Sequence, residues 1–453
     1  MNVVDIITKQ KNGETLAKEE VACMIEGFTD GSIPDYQMSA FLMAVVLKGM
    51  SRENIIYMTE VMRDSGDVMD LSGINGIKVD KHSTGGVGDK TTLIVAPVAA
   101  AAGVPIAKMS GRGLGFTGGT VDKLESIPGF RTAMGKEEFI GAVNDIGIAV
   151  IGQTGNLVPA DKKIYALRDV TGTTESLALI TSSIMSKKLA AGSDAIVLDV
   201  KCGRGAFMKT LPEAEELARL MTDIGKAAGR NTMAIISDMN QPLGRAAGNA
   251  PEVQEAIDVL KGGGPEDVRK LSVTLAGAMI AAGGIADEPE QTDMRKQTAR
   301  DEGCSQKFAK GMEIAEEMLT GGKALAKFRE FVKAQGGDPE ITDDYSLMKQ
   351  PSHRLEIRAE QRGYVEGVDA LGIGLAVQHT GAGRERKEDP IDMSAGIVLN
   401  KKIGDRVEKG ELLFTVYADD EIRLEKGAEE AKAAFRFGEN IVAAPDLIKA
   451  VIE

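Results

Sequence analysis

At 453 residues the chain exceeds what one hydrophobic core usually organises, so two or three domains are expected. Its 43% hydrophobic and 27% charged residues are those of a folded protein and exclude long disordered or fibrous stretches. A formal charge of −14 repels phosphate polymers and anionic bilayers, so neither nucleic acid nor membrane is an expected partner, and any phosphate must be captured locally.

Three cysteines, Cys23, Cys202 and Cys304, form neither a disulfide framework nor a metal-ligand spacing. With no apolar leader near Asp5, a reducing cytoplasm is the expected compartment. The longest apolar run, Thr92 to Ala107, is too short to span a bilayer and reads as a buried helix.

In chain order, helical spacing of apolar residues predicts helices over Leu16 to Phe28, Asp35 to Leu47 and Arg52 to Met62. Past Ile74, short β-branched runs alternate with alanine-rich stretches: Ala149 to Ile151, Ala195 to Val200 and Thr232 to Ile236. That is the pattern of a mostly parallel sheet. A helical patch, Ile164 to Leu189, interrupts it and is expected to pack back onto the opening helices. Beyond Gly336, short strands such as Gly363 to Val365 and Gly396 to Leu399 suggest an α+β domain. The expected architecture is α/β: a helical domain of residues 1–70 completed by 160–192, an α/β phosphate-binding domain of 71–335, and a C-terminal α+β domain of 336–453. The segment Ile403 to Glu411 looks like the turn of a biotin or lipoyl carrier, but no Met-Lys-Met adjoins it.

The segment from Lys81 to Thr92, Lys-His-Ser-Thr-Gly-Gly-Val-Gly-Asp-Lys-Thr-Thr, follows a strand-like Ile77 to Val79 and opens the apolar helix. Strand, glycine loop and helix make an anion cradle, because backbone N–H groups converge at a helix N-terminus. It is no Walker A loop, since Asp89 separates Gly88 from Lys90. Gly113 to Gly118 satisfies G-x-G-x-x-G, but the acids twenty positions on, Glu137 and Glu138, fall in a helix-like stretch, against a dinucleotide site.

Together with the patterned run from Lys108 to Phe130, which includes Ser110-Gly111-Arg112-Gly113-Leu114 and Asp122-Lys123-Leu124-Glu125, this segment resembles the thymidine and pyrimidine-nucleoside phosphorylases. The likeness extends through Tyr165, Arg168, Ser183 and Lys187. The resemblance implies phosphorolysis of uridine, thymidine and 2′-deoxyuridine to free base and (deoxy)ribose 1-phosphate by a homodimer without an organic cofactor. It places phosphate on Lys81, Ser83, Thr92, Ser110 and Thr120, with Lys108 beside them. It places the base on Tyr165, Arg168, Ser183 and Lys187, and makes His82, Arg168 and Lys187 the catalytic set. It also implies a structural potassium ion on Gly88, Lys90, Leu243, Ala246 and Glu255, although a small residue sits more comfortably beside a cation than a lysine does. A thymidine phosphorylase restricted to 2′-deoxynucleosides and an anthranilate-type phosphoribosyltransferase are the alternatives. Of the other histidines, His353 and His379 read as surface or turn residues.

Overall fold

The computed structural model describes residues 1–113, 118–153, 155–287, 306–384, 386 and 389–453. Leu114 to Thr117, within the G-x-G-x-x-G run, and Cys304 lie outside the described residues.

Four helices open the chain: α1 (Val3–Asn12), α2 (Lys18–Asp30), α3 (Asp35–Lys48) and α4 (Arg52–Arg63). The last three are those expected. Periodicity did not signal α1, which buries little beyond Ile6 and Gln10; its ends are fixed by Asn2, whose side chain accepts the Val4 N–H, and by Gly13. Then follow β1 (Val79–Ser83), α5 (Thr91–Ala101), β2 (Ile106–Ser110), α6 (Thr120–Glu125), α7 (Lys136–Ile146), β3 (Ile148–Gly152), α8 (Pro159–Thr171), α9 (Leu177–Ala190), β4 (Ala195–Cys202), α10 (Leu211–Ala227) and β5 (Asn231–Asp238). The remainder is β6 (Ala246–Gly248), α11 (Ala250–Leu260), α12 (Glu266–Ala282), α13 (Gln306–Thr320), α14 (Lys323–Ala334), β7 (His353–Arg358), β8 (Gly363–Val368), α15 (Ala370–Val377), β9 (Gly396–Leu399), β10 (Arg406–Val407), β11 (Leu412–Ala418), α16 (Glu421–Ala433), β12 (Phe435–Gly438) and β13 (Ile448–Ile452).

The apolar run from Thr92 to Ala107 is not one helix. Helix α5 stops at Ala101, and Pro105, which forces its predecessor extended, turns the chain into β2.

The chain divides into two compact units. The first comprises Met1–Gly73, Gln153–Ile196 and Glu216–Thr232, so it holds α1 to α4, α8, α9 and most of α10. Helix α4 packs on α2 and α9. Phe41, Met24, Met38 and Val45 are fully buried there, each contributing about 1.5–3 kcal/mol by leaving water. Buried Asn54 on α4 accepts the Leu16 N–H at 2.9 Å and donates to the Leu16 carbonyl at 2.7 Å, which pins the turn before α2.

The second unit comprises Ile74–Gly152, Val197–Glu215 and Met233–Glu453. Its central sheet runs β1-β4-β5-β13. Strand β4 is buried along its whole length, its apolar residues as expected of a strand covered on both faces and its Asp199 and Lys201 by pairing with each other. Strands β2 and β3 pair in parallel with Ile106 opposite Ile148. The chain beyond Gly336 shares both of its ends with this scaffold: β13 adds antiparallel to β5, and β6 joins β9, β11 and β7 in a second sheet. Strand β8 pairs with β10 and β12 in a third. Among the described residues no helix is long and apolar enough to cross a membrane.

Candidate active site

In the second unit, β1 delivers Lys81, His82 and Ser83 to the start of the glycine loop, and α5 begins where that loop ends. The loop turns back at Gly88 in the left-handed region, φ 76°, where an added Cβ would stand 2.3 Å from the Leu243 carbonyl. Lys81, Ser83, Thr92, Lys108, Ser110 and Thr120 all line one cavity of about 170 Å³, and His82 lines it too. The sequence-predicted anion set is thus gathered around a space sized for a small ion.

Its electrostatics are those of a balanced buried network. The Lys81 ammonium donates to Thr91 Oγ1 at 2.6 Å and lies 3.7 Å from Asp89 and 3.8 Å from Asp199. Lys201, fully buried, pairs with Asp199 at 2.7 Å and donates to Ser237 Oγ at 3.1 Å. Lys108 bonds Asp80 at 3.1 Å and the Lys81 carbonyl. Burial pushes the Asp89 carboxyl up, but the charges of Lys81 and Lys201 and hydrogen bonds from Ser83 and Thr91 outweigh it and hold the group well below its ordinary range. Three lysines thus face three aspartates. An entering anion would therefore draw on backbone N–H groups, hydroxyls and the α5 N-terminus as well as on Lys81.

Two residues that the sequence reading left unassigned organise the rim. Asp122 at the start of α6 accepts the Gly113 N–H at 2.6 Å and an Arg112 N–H at 3.2 Å. Arg384, contributed by the chain after α15, reaches Asp122 at 3.0 Å. Gly119 is a glycine because a Cβ there would lie 2.0 Å from the Gly113 nitrogen. No motif could have flagged Arg384, which is remote in sequence from the loop it braces.

The residues expected to bind the base lie in the first unit. Tyr165 and Arg168 are one turn apart on α8, and Ser183 and Lys187 are one turn apart on α9. The Lys187 ammonium donates to Asp161 at 2.5 Å and to Ser183 Oγ at 3.0 Å, and sits 5.8 Å from the centre of the Tyr165 ring. The Arg168 guanidinium lies 5.7 Å from that ring. Three of its N–H groups already donate to the carbonyls of Thr173, Leu179 and Thr174, so two of its five remain for a ligand. Burial pulls its pKa down, against the pull of Asp161 and Tyr165. Asp161 was not anticipated; as an acid in the first turn of α8 it reads simply as a partner of the helix dipole. Its Oδ1 is buried with no hydrogen-bond partner among the described residues. Just before α8, Val158 adopts φ 47°, the one positive φ at a non-glycine residue among those described, and strain of this kind concentrates at functional sites.

Of the remaining histidines, His353 is exposed at the start of β7 and His379 contacts Glu430 at 2.6 Å. Glu137 and Glu138 occupy the first turn of α7, the helix expected there.

The residues expected to hold potassium do converge, but around a cation the chain supplies itself. The Lys90 ammonium donates to the Leu243 carbonyl at 3.0 Å, the Ala246 carbonyl at 2.8 Å and Glu255 Oε2. An alkali ion does not fit those oxygens alongside it, because two cations at one set of acceptors repel. At the expected metal site the structure thus holds an internal ion pair between Lys90 and Glu255.

Three family models match the chain: the helical bundle domain of the glycosyl transferase family over residues 4–66, its a/b domain over 75–325, and the pyrimidine nucleoside phosphorylase C-terminal domain over 364–438. The fold is similar to that of anthranilate phosphoribosyltransferase from Thermus thermophilus, with a TM-score of 0.56 and 20% identity over 73% of this chain and 99% of that one. A helical bundle followed by this a/b domain defines a glycosyl transferase. The pyrimidine-nucleoside phosphorylase of Bacillus subtilis is 54% identical over 93% of both chains, and that of Geobacillus stearothermophilus 51% identical over 99% of both. The chain belongs to the pyrimidine-nucleoside phosphorylase family.

Proposed function

We propose that this enzyme catalyses reversible phosphorolysis of pyrimidine nucleosides: a phosphate oxygen attacks C1′, the glycosidic C–N bond breaks with its electron pair leaving on the base, and (deoxy)ribose 1-phosphate forms. The observation that carries this reading is the cavity on the glycine loop, lined by Lys81, Ser83, Thr92, Ser110 and Thr120. Phosphate held there serves as nucleophile and as counter-charge to the oxocarbenium-like sugar. Arg168 and Lys187 stabilise the charge that develops on the base oxygens, and His82 donates a proton or hydrogen bond to the departing base. Asp161 is a positioning residue that aims the Lys187 ammonium.

Uridine with inorganic phosphate should release free uracil, followed by absorbance, and arsenate should replace phosphate. A chain that instead requires pyrophosphate and magnesium is a phosphoribosyltransferase, and one that releases base at full rate without phosphate is a hydrolase. Assembly as a homodimer and a cytoplasmic location complete the proposal on the strength of the family.

We further infer that ribose and 2′-deoxyribose nucleosides are both substrates, through Lys108. Lys108 is among the residues lining the anion cavity, its ammonium held by Asp80 and the Lys81 carbonyl, and from there it would meet a 2′-hydroxyl that otherwise goes unpaired. Lys108→Met is expected to cost uridine ~1–3 kcal/mol more than 2′-deoxyuridine in kcat/KM. Equal losses for the two nucleosides would show that the lysine serves phosphate alone.

A further inference from the structure

We propose that Lys90 is a built-in cation: its ammonium takes the place of an alkali-metal ion in the cage that ties the anion loop to residues 243–255, so that this chain needs no potassium.

Lys90 ends the glycine loop and precedes the first residue of α5. Its side chain is fully buried. An ammonium has three N–H donors, and each finds one acceptor: two backbone carbonyls and one carboxylate oxygen. The carboxylate is itself fixed, because Glu255 Oε1 accepts the N–H groups of Arg245 at 3.0 Å and Ala246 at 3.1 Å. Three oxygens aimed at one interior point are stable only around positive charge.

Neither space nor charge is left for a second ion. A Cβ added at Gly244 would lie 2.2 Å from Glu255 Oε2 and 2.9 Å from the Lys90 nitrogen. Adjacent Asp267, half-buried, pairs with Lys402 and accepts the Gly244 N–H at 3.1 Å, so buried Glu255 and its acidic neighbour already face two lysines. A further monovalent cation would leave net positive charge in the interior. Because the ammonium is tethered, the cage stays filled whatever the salt, and the loop that carries Asp89, Thr91 and Thr92 stays braced against the Leu243 segment. The Val87 carbonyl completes that brace by accepting the Leu243 N–H at 3.0 Å.

The test compares potassium chloride with tetramethylammonium chloride at equal ionic strength, reading both the thermal unfolding midpoint and KM for phosphate. The phosphate readout rests on the phosphorylase reading; the thermal one does not. For the wild-type chain neither quantity should depend on which cation is present. Lys90→Ser should unfold several degrees lower in tetramethylammonium and show a KM for phosphate at least ~10-fold higher, with both restored by titrating potassium. Lys90→Met should be impaired in either salt. Crystals of the wild type soaked in thallium(I) should show no anomalous peak at the cage, which decides the matter even if the variants do not fold. A thallium peak there, a saturable potassium-specific rise in the wild-type midpoint, or a folded Lys90→Ser that potassium does not rescue would overturn the proposal.

Discussion

Lys187→Ala is expected to lower turnover of every pyrimidine nucleoside by at least ~100-fold, while affinity for phosphate changes little. The ammonium is held at one point by Asp161 and Ser183 and lies over the Tyr165 ring, so it meets the base already oriented. Since the charge on the base oxygens develops only as the glycosidic bond breaks, the loss should fall on kcat. Arg168→Ala should behave differently. Three backbone carbonyls lose their donor, at about 1–3 kcal/mol for each that stays buried and unpaired, so that variant should lose stability as well as turnover. Steady-state kinetics on both variants, with thermal unfolding alongside, separates the two roles. Near-normal turnover in Lys187→Ala would place the base elsewhere.

Lys81→Met should raise KM for phosphate by at least ~100-fold, because it removes the one cavity-lining lysine bonded to the first residue of α5. It should also shift acid unfolding. The Asp89 carboxyl titrates well below its ordinary range in the folded chain. A depressed carboxyl contributes stability that is fully present above the unfolded pKa of about 3.9 and is lost as the pH falls through the folded value. Burial alone would raise that pKa, so without Lys81 the group moves back up. The acid limb of the stability curve should therefore begin at higher pH in Lys81→Met than in the wild type. Coincident acid limbs would mean that Lys201 and the hydroxyls suffice to hold Asp89.

What the sequence made legible was whatever is contiguous. Helices α2 to α4 show in their apolar spacing, and β4 in its short β-branched run from Ala195 to Val200. The loop from Lys81 to Thr92 carries its anion chemistry in a row, so an anion cradle is legible there, and the family resemblance adds the roles expected of Lys81, Ser83 and Thr92. Features that depend on tertiary approach were not legible. Strand β13 is five half-buried residues, Ile-Lys-Ala-Val-Ile, too short a run at the chain's end to show which strand it joins until it pairs with β5. Arg384 reaches Asp122 from the far side of α15, and Asp161 meets Lys187 only because α8 and α9 pack. Lys90 was seen as a departure from a small residue, but its consequence appears only once Leu243, Ala246 and Glu255 surround its ammonium.

In the proposed reaction phosphate itself attacks the sugar, and oxygen labelling reads out which atom does so. With phosphate carrying 18O at all four oxygens and uridine in ordinary water, phosphorus NMR should find all four labels in the ribose 1-phosphate, the bridging oxygen included. Ribose 1-phosphate with an unlabelled bridge, or free ribose released in step with uracil, would show that water is the nucleophile and contradict the account.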